Sequence, residues 1–359
     1  MGSAKTKEVR PSRGRPSRWL LRAIGLPAAF LGGALLSVVG IRLSAEPVQP
    51  IADPSWPSSY YELLAMPPAQ LAKVDIAVAN LLCAHGLPGA ESIDIPAALA
   101  TLDKWADRVR FETERHLYRV NDPRYADHYK HSEARLRAEF LLMVLHEDCG
   151  VHYNMERVRE VNFAKSQDMF IHGMIANTNG GTCASLPVLY AAVGRRLGYP
   201  IKLVLAREHV FCRWDDGKER FNIDGGVDEH PDDYYRTWPL PLSEKMLASG
   251  EFLKSLSPTE ELSAFLFNRG TCLHANRRVP EAIAAYAQAH RLCSDAFTPR
   301  MSLEMAVAGV PFRTGPAQAS DPRLQRASPL APGVQAGMPP DPTPPMPMPG
   351  NSKRPGDRP

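Results

Sequence analysis

Cys183 closes a polar, glycine-bearing loop, "NTNGGTC", and opens an apolar-periodic segment, "ASLPVLYAAVGRRLGYP". Leu186, Val188, Leu189, Ala192, Val193 and Leu197 repeat at helical spacing, and Gly198 and Pro200 supply the stop. The thiol therefore falls at or near a helix N-terminus, where unpaired N–H groups and the helix dipole favour negative charge. A thiolate is the nucleophilic form of cysteine. Gly180 and Gly181 carry no side chains, which would leave room for a substrate carbonyl. The Cys183 N–H and the Asn177 amide are candidate donors to the oxyanion formed on attack.

A nucleophilic thiol needs an imidazole beside it. His209 lies in the strand-like run "IKLVLAREHVFCRW"; "DDGK" then reads as a hairpin turn and "ERFNID" as the returning strand. A two-residue Asp216–Gly217 turn pairs Asp215 with Lys218 and sets His209 opposite Asp224, within reach of an orienting carboxylate. A longer loop shifts that register by one or two residues. Plainer readings exist for each residue: a buried structural thiol, a core histidine, and a turn aspartate ahead of Gly225–Gly226. His209 and Cys212 as metal ligands point to opposite strand faces and have no second ligand pair, so no metal is expected.

The elements around this constellation are mostly helical. Residues 1–22 are basic, with Lys5, Lys7, Arg10, Arg13, Arg15, Arg18 and Arg22. Residues 23–43 contain an uncharged nineteen-residue run, Ala23 to Ile41, which reads as a signal anchor or as a signal peptide cut near "LSAEP". Either places the body outside the cytoplasm, on the periplasmic side if anchored and secreted if cleaved. Residues 44–59 read as a linker and 60–154 as helices. In that helical region "YYELLAMPPAQLAKVDIAVANLLCAHGLPG" gives two short amphipathic pieces broken at Pro67–Pro68, and Asp94 and Ser132 are helix caps. Residues 155–256 hold the thiol, the strands and an aromatic set, Tyr234, Tyr235 and Trp238, that could line a substrate cleft. Residues 257–310 are helical again, and 311–359 form a proline-rich tail expected to be disordered or extended.

With the basic residues concentrated at one end, the formal charge of +3 leaves the body slightly acidic, which argues against a nucleic-acid surface. Six scattered cysteines without a CxxC exclude a zinc ribbon and a thioredoxin-type site; Cys272 and Cys293 could pair if their helices face one another.

"GGTCASLPVLYAAVGRRLGYP" followed by "EHVFCRWDDGKERFNID" resembles the core of the transglutaminase-like superfamily, a papain-related fold. The resemblance extends over about Ala134 to Phe297, and "EDCGVHYN" and "DDYYRTWP" share it. It is nearest to bacterial members with helices before this core and a tetratricopeptide-like hairpin after it. Leu266, Gly270, Leu273, Ala282, Tyr286 and Ala289 fall on the positions of one such repeat. The resemblance implies an α+β core with Cys183 as nucleophile, His209 as general base and acid, and Asp224 as the orienting residue. Papain relatives often place a Gln at the oxyanion; here Asn177 or Asn179 stands nearby. The implied activity is acyl transfer or amide hydrolysis through a thioester on a protein or peptide substrate, without a cofactor. The alternative is a non-catalytic scaffold whose helical hairpin presents a partner surface.

Overall fold

The computed structural model describes residues 56–157, 161–175 and 180–312. The basic segment, the apolar run at 23–43, most of the linker, Asn177, Asn179 and the tail beyond Phe312 lie outside the described residues. Among the described residues no helix is long and apolar enough to cross a membrane.

The described residues begin with three helices where the sequence suggested two. α1 (Tyr60–Ala65) is capped by Ser59, whose hydroxyl accepts from the Glu62 N–H. Pro67 and Pro68 break it, and Pro68 starts the single turn of α2 (Pro68–Leu71). α3 (Ile76–Ala84) is not amphipathic: all nine residues are buried, as expected of a helix apolar on every side. The linker also ends earlier than expected, because Trp56 already packs on the core. α4 (Ile95–His116) and α5 (Glu133–Glu147) begin where the caps indicated; Asp94 accepts from Ala97 N and Ser132 from Arg135 N.

Two short helices, α6 (Ser166–Met169) and α7 (His172–Ile175), lead to the thiol loop and to α8 (Leu186–Arg196). α8 packs on α3, α4 and α5 on one side and carries the sheet on the other. The sheet is antiparallel in the order β1 (Ile201–Ala206), β2 (His209–Asp215), β3 (Arg220–Ile223). The run that looked like one strand is thus a hairpin, turning at Arg207–Glu208 with Glu208 at φ +59°. Neither turn residue is of the usual left-handed type, so no residue pattern marked the bend. The outer edge of β1 is covered by the segment at 253–256, with Leu253 N and Leu256 N donating to Leu205 and Leu203 carbonyls.

After α9 (Asp232–Tyr235) and α10 (Glu244–Ala248) come three longer helices: α11 (Pro258–Ala275), α12 (Val279–Leu292) and α13 (Phe297–Val307). A capping box between Ser257 and Glu260 starts α11. α11 and α12 approach closely at Gly270, where a Cβ would stand 2.6 Å from the Tyr286 ring. All six cysteines are free, Cys272 and Cys293 included.

Candidate active site

Cys183 sits in the turn just before α8, three residues ahead of its first helical residue. Thr182 builds that turn. Its carbonyl accepts from Ser185 N and Leu186 N, and its hydroxyl accepts from Ala184 N (3.1 Å) while donating to the Asp168 carbonyl (2.6 Å). The loop is held from behind by a short parallel bridge between Tyr153 and Gly181. Both glycines are required by this packing. A Cβ at Gly180, whose φ is +80°, would meet Asn154 N at 2.8 Å, and one at Gly181 would collide with the Met174 sulfur.

His209 begins β2, and its Nε2–H donates to Asp224 Oδ2 at 2.7 Å. The ladder that brings them together differs from the expected one. Asp215 pairs with Arg220, not Lys218, and Cys212 with Ile223. The cause is Asp216, whose carboxylate accepts from both Lys218 N and Glu219 N at 2.7 Å and opens the turn to four residues. The resulting shift of two positions preserves which face each side chain occupies. Asp224 lies just past the ladder, where Gly225 (φ +78°) turns the chain back and Ile223 bridges Val227. It is therefore a turn residue and the partner of His209 at once.

With Nε2 committed to Asp224, Nδ1 is the ring nitrogen left for the thiol, and the Cys183 sulfur acts on the imidazole electrostatically. The imidazole is nearly enclosed, with a side-chain exposure of 9%. Burial by itself would lower its pKa, but the Asp224 carboxylate and then the Cys183 sulfur outweigh that effect, and the value is pushed up to about 10. The geometry thus favours an imidazolium beside the sulfur across the neutral range.

The expected aromatic set stands behind the histidine, and none of its members lines the large cavity in front of it. The Tyr235 ring lies parallel to the imidazole (6.0 Å between centroids, 9° between planes), and its hydroxyl donates to Asp224 Oδ2 at 2.8 Å. Burial and then the neighbouring carboxylate push the Tyr235 pKa upward, so the hydroxyl remains a donor. Trp238 stands edge-on to His209 at 4.8 Å, and Tyr234 stacks on His230. The sequence left cleft lining and core or lid packing equally open for these three, because spacing does not show which way a four-residue helix turns its rings.

Tyr153 was not foreseen as a site residue. Its hydroxyl accepts from the Cys183 N–H at 3.2 Å. Burial, followed by the adjacent sulfur, holds its pKa well above the ordinary value, so it stays protonated. The signal lay in "EDCGVHYN", noted for its resemblance but without a role assigned to its tyrosine.

Helices packed around a small antiparallel sheet make an α+β fold, as expected of a transglutaminase-like core with flanking helices. Residues 96–226 match the family model of the transglutaminase-like superfamily. The matched stretch starts upstream of the resemblance read from the sequence and ends before α11, so it says nothing of a tetratricopeptide-like hairpin. No curated protein and no solved structure matches the chain.

Proposed function

We propose that the protein catalyses acyl transfer through a thioester on Cys183, acting on an amide of a protein or peptide. The observation that supports this reading is the hydrogen bond that orients His209 on Asp224, with Cys183 and that imidazole in the wall of one cavity. The sulfur attacks the amide carbonyl while its proton resides on His209. The imidazolium returns that proton to the leaving amine as the C–N bond breaks. Water or a second amine then attacks the thioester, giving hydrolysis or transamidation and restoring the thiol. Tyr153, donating from beside the Cys183 N–H, supplies the oxyanion contact expected of Asn177 or Asn179.

A second reading, a non-catalytic scaffold, draws on one observation: the Cys183 N–H already donates to Tyr153 and does not stand open. Iodoacetamide labelling of Cys183 across pH separates the two. Catalysis predicts rapid labelling near pH 6, slowed at least tenfold by His209→Ala. Labelling that rises only above about pH 8, as for an ordinary thiol, and ignores His209→Ala would leave the scaffold.

A further inference from the structure

A cavity of about 870 Å³ opens directly onto the reactive pair, with Cys183, Ala184 and His209 in its wall at one end. Its size is that of a ligand cleft. From the thiol it extends between α11 and α13. α11 contributes Ala264, Phe267, Asn268 and Thr271, which share one helical face, and α13 contributes Thr298, Met301, Ser302 and Met305, which do the same. Phe163 and Phe312, with ring centroids 5.5 Å apart, also line it.

Two features of this wall bear on what it holds. Phe267, Met301 and Met305 offer large apolar and, for the methionines, adaptable surfaces, and Met305 is 45% exposed. Between them, Asn268 and Ser302 are half-buried and make no side-chain hydrogen bond among the described residues. A hydrocarbon chain would bury that amide and hydroxyl without partners, which is unfavourable. A polypeptide main chain supplies a donor and an acceptor at every residue and satisfies both.

We propose that the cleft between α11 and α13 binds the acyl donor as a polypeptide segment rich in bulky apolar side chains. Asn268 and Ser302 hold its main chain, and Phe267, Met301 and Met305 receive its side chains. This rests on the acyl-transfer reading of Cys183 and extends it to a substrate class.

The test uses the full chain and the rate at which iodoacetamide labels Cys183, followed by the mass of the peptide that carries it. Three probes are added: acetyl-Phe-Leu-Ala-Leu-Phe-amide, acetyl-Ser-Gly-Ala-Gly-Ser-amide and dodecanamide. The first should slow labelling saturably, at least tenfold, and the others by less than twofold. Ala264→Trp, which fills the cleft, and Met301→Glu, which charges its α13 wall, should each raise the half-protecting concentration of the first peptide at least tenfold. Protection is read as the ratio of rates with and without peptide in each variant, so altered thiol reactivity cancels. Equal protection by the two peptides, stronger protection by dodecanamide, or protection in both variants equal to wild type would overturn the assignment. Those outcomes leave acyl transfer standing, whereas absence of labelling near pH 6 without any probe defeats acyl transfer itself.

Discussion

At the scale of single residues, Asp224 governs the charge state of His209, on which the proposed chemistry depends. The folded pKa, pushed up to about 10, lies above the ordinary imidazole value of about 6.5. The stabilisation from the protonated ring is therefore complete below about pH 6.5 and is lost as pH rises through about 10. Asp224→Asn removes the opposing charge but keeps an acceptor for Nε2. The His209 titration, followed by NMR of the imidazole, should fall from about 10 toward the ordinary range. The difference in unfolding free energy between wild type and Asp224→Asn should be greatest below pH 6.5 and shrink on approach to pH 10. A midpoint that stays near 10 would mean that the carboxylate does not set the imidazole's charge. The meeting of His209 with Asp224, and of both with the Cys183 turn, was readable from residue type, order and spacing. Tyr153 was not, because its contact with Cys183 is made by a bridge between segments 28 positions apart whose pairing no local pattern encodes.

At the scale of elements, the aromatic backing of His209 is held by a buried guanidinium. Arg213 on β2 is fully enclosed; it donates through Nε to Asn222 Oδ1 at 2.8 Å and pairs with Asp232 at the start of α9. Asn222 Nδ2 donates to the same Asp232 oxygen at 2.9 Å and to the His230 carbonyl at 3.0 Å. α9 is only four residues long and cannot hold its own position. The Arg213–Asp232 pair therefore fixes where Tyr235 sits, and Tyr235 in turn steadies Asp224. Arg213→Met should cost about 2–4 kcal/mol in urea unfolding, since it takes the donor from Asn222 Oδ1 and the buried cation from Asp232, which keeps Arg220 and some contact with water. Tyr235→Phe, which keeps the ring and removes one hydrogen bond, should cost about 1 kcal/mol. A loss below 1 kcal/mol for Arg213→Met would show that α9 is positioned by its ring stacking alone. The hairpin that carries Arg213 and Asn222 was readable from its alternation, but its register was not. Asp216 offered a two-residue turn by type and made a four-residue one by capturing two amides.

At the scale of the molecule, the regions that the sequence separated at 60–154, 155–256 and 257–310 share one hydrophobic core, with buried members from Leu63 to Ala306. Linear patterning marked where helices start and stop, but it could not show that α3, apolar on every side, is the post around which they assemble. α11 packs directly on α3. Arg269 on α11 donates to the carbonyls of Cys83 (2.8 Å) and His85 (2.9 Å) at the end of α3, and its guanidinium lies 4.5 Å from the centre of the Tyr60 ring. Tyr60 reaches α12 through Gln288 at 2.6 Å, and Glu261 on α11 pairs with Arg195 on α8. The C-terminal helices thus cover α3 on one side as α4 and α8 do on another. Removing them would expose α3 to water along that side, with each large apolar side chain uncovered costing about 1.5–3 kcal/mol. Because a domain's whole net stability is only about 5–15 kcal/mol, a chain ending at Leu256 should not fold, even though it retains all of 96–226 and every residue of the Cys183 site. Thermal unfolding by circular dichroism should show one cooperative transition for the full chain and none for the truncated one. A sharp transition in the truncated chain, with iodoacetamide reactivity at Cys183 near pH 6 intact, would show that the transglutaminase-like core stands alone and that the helices after it are an appended unit.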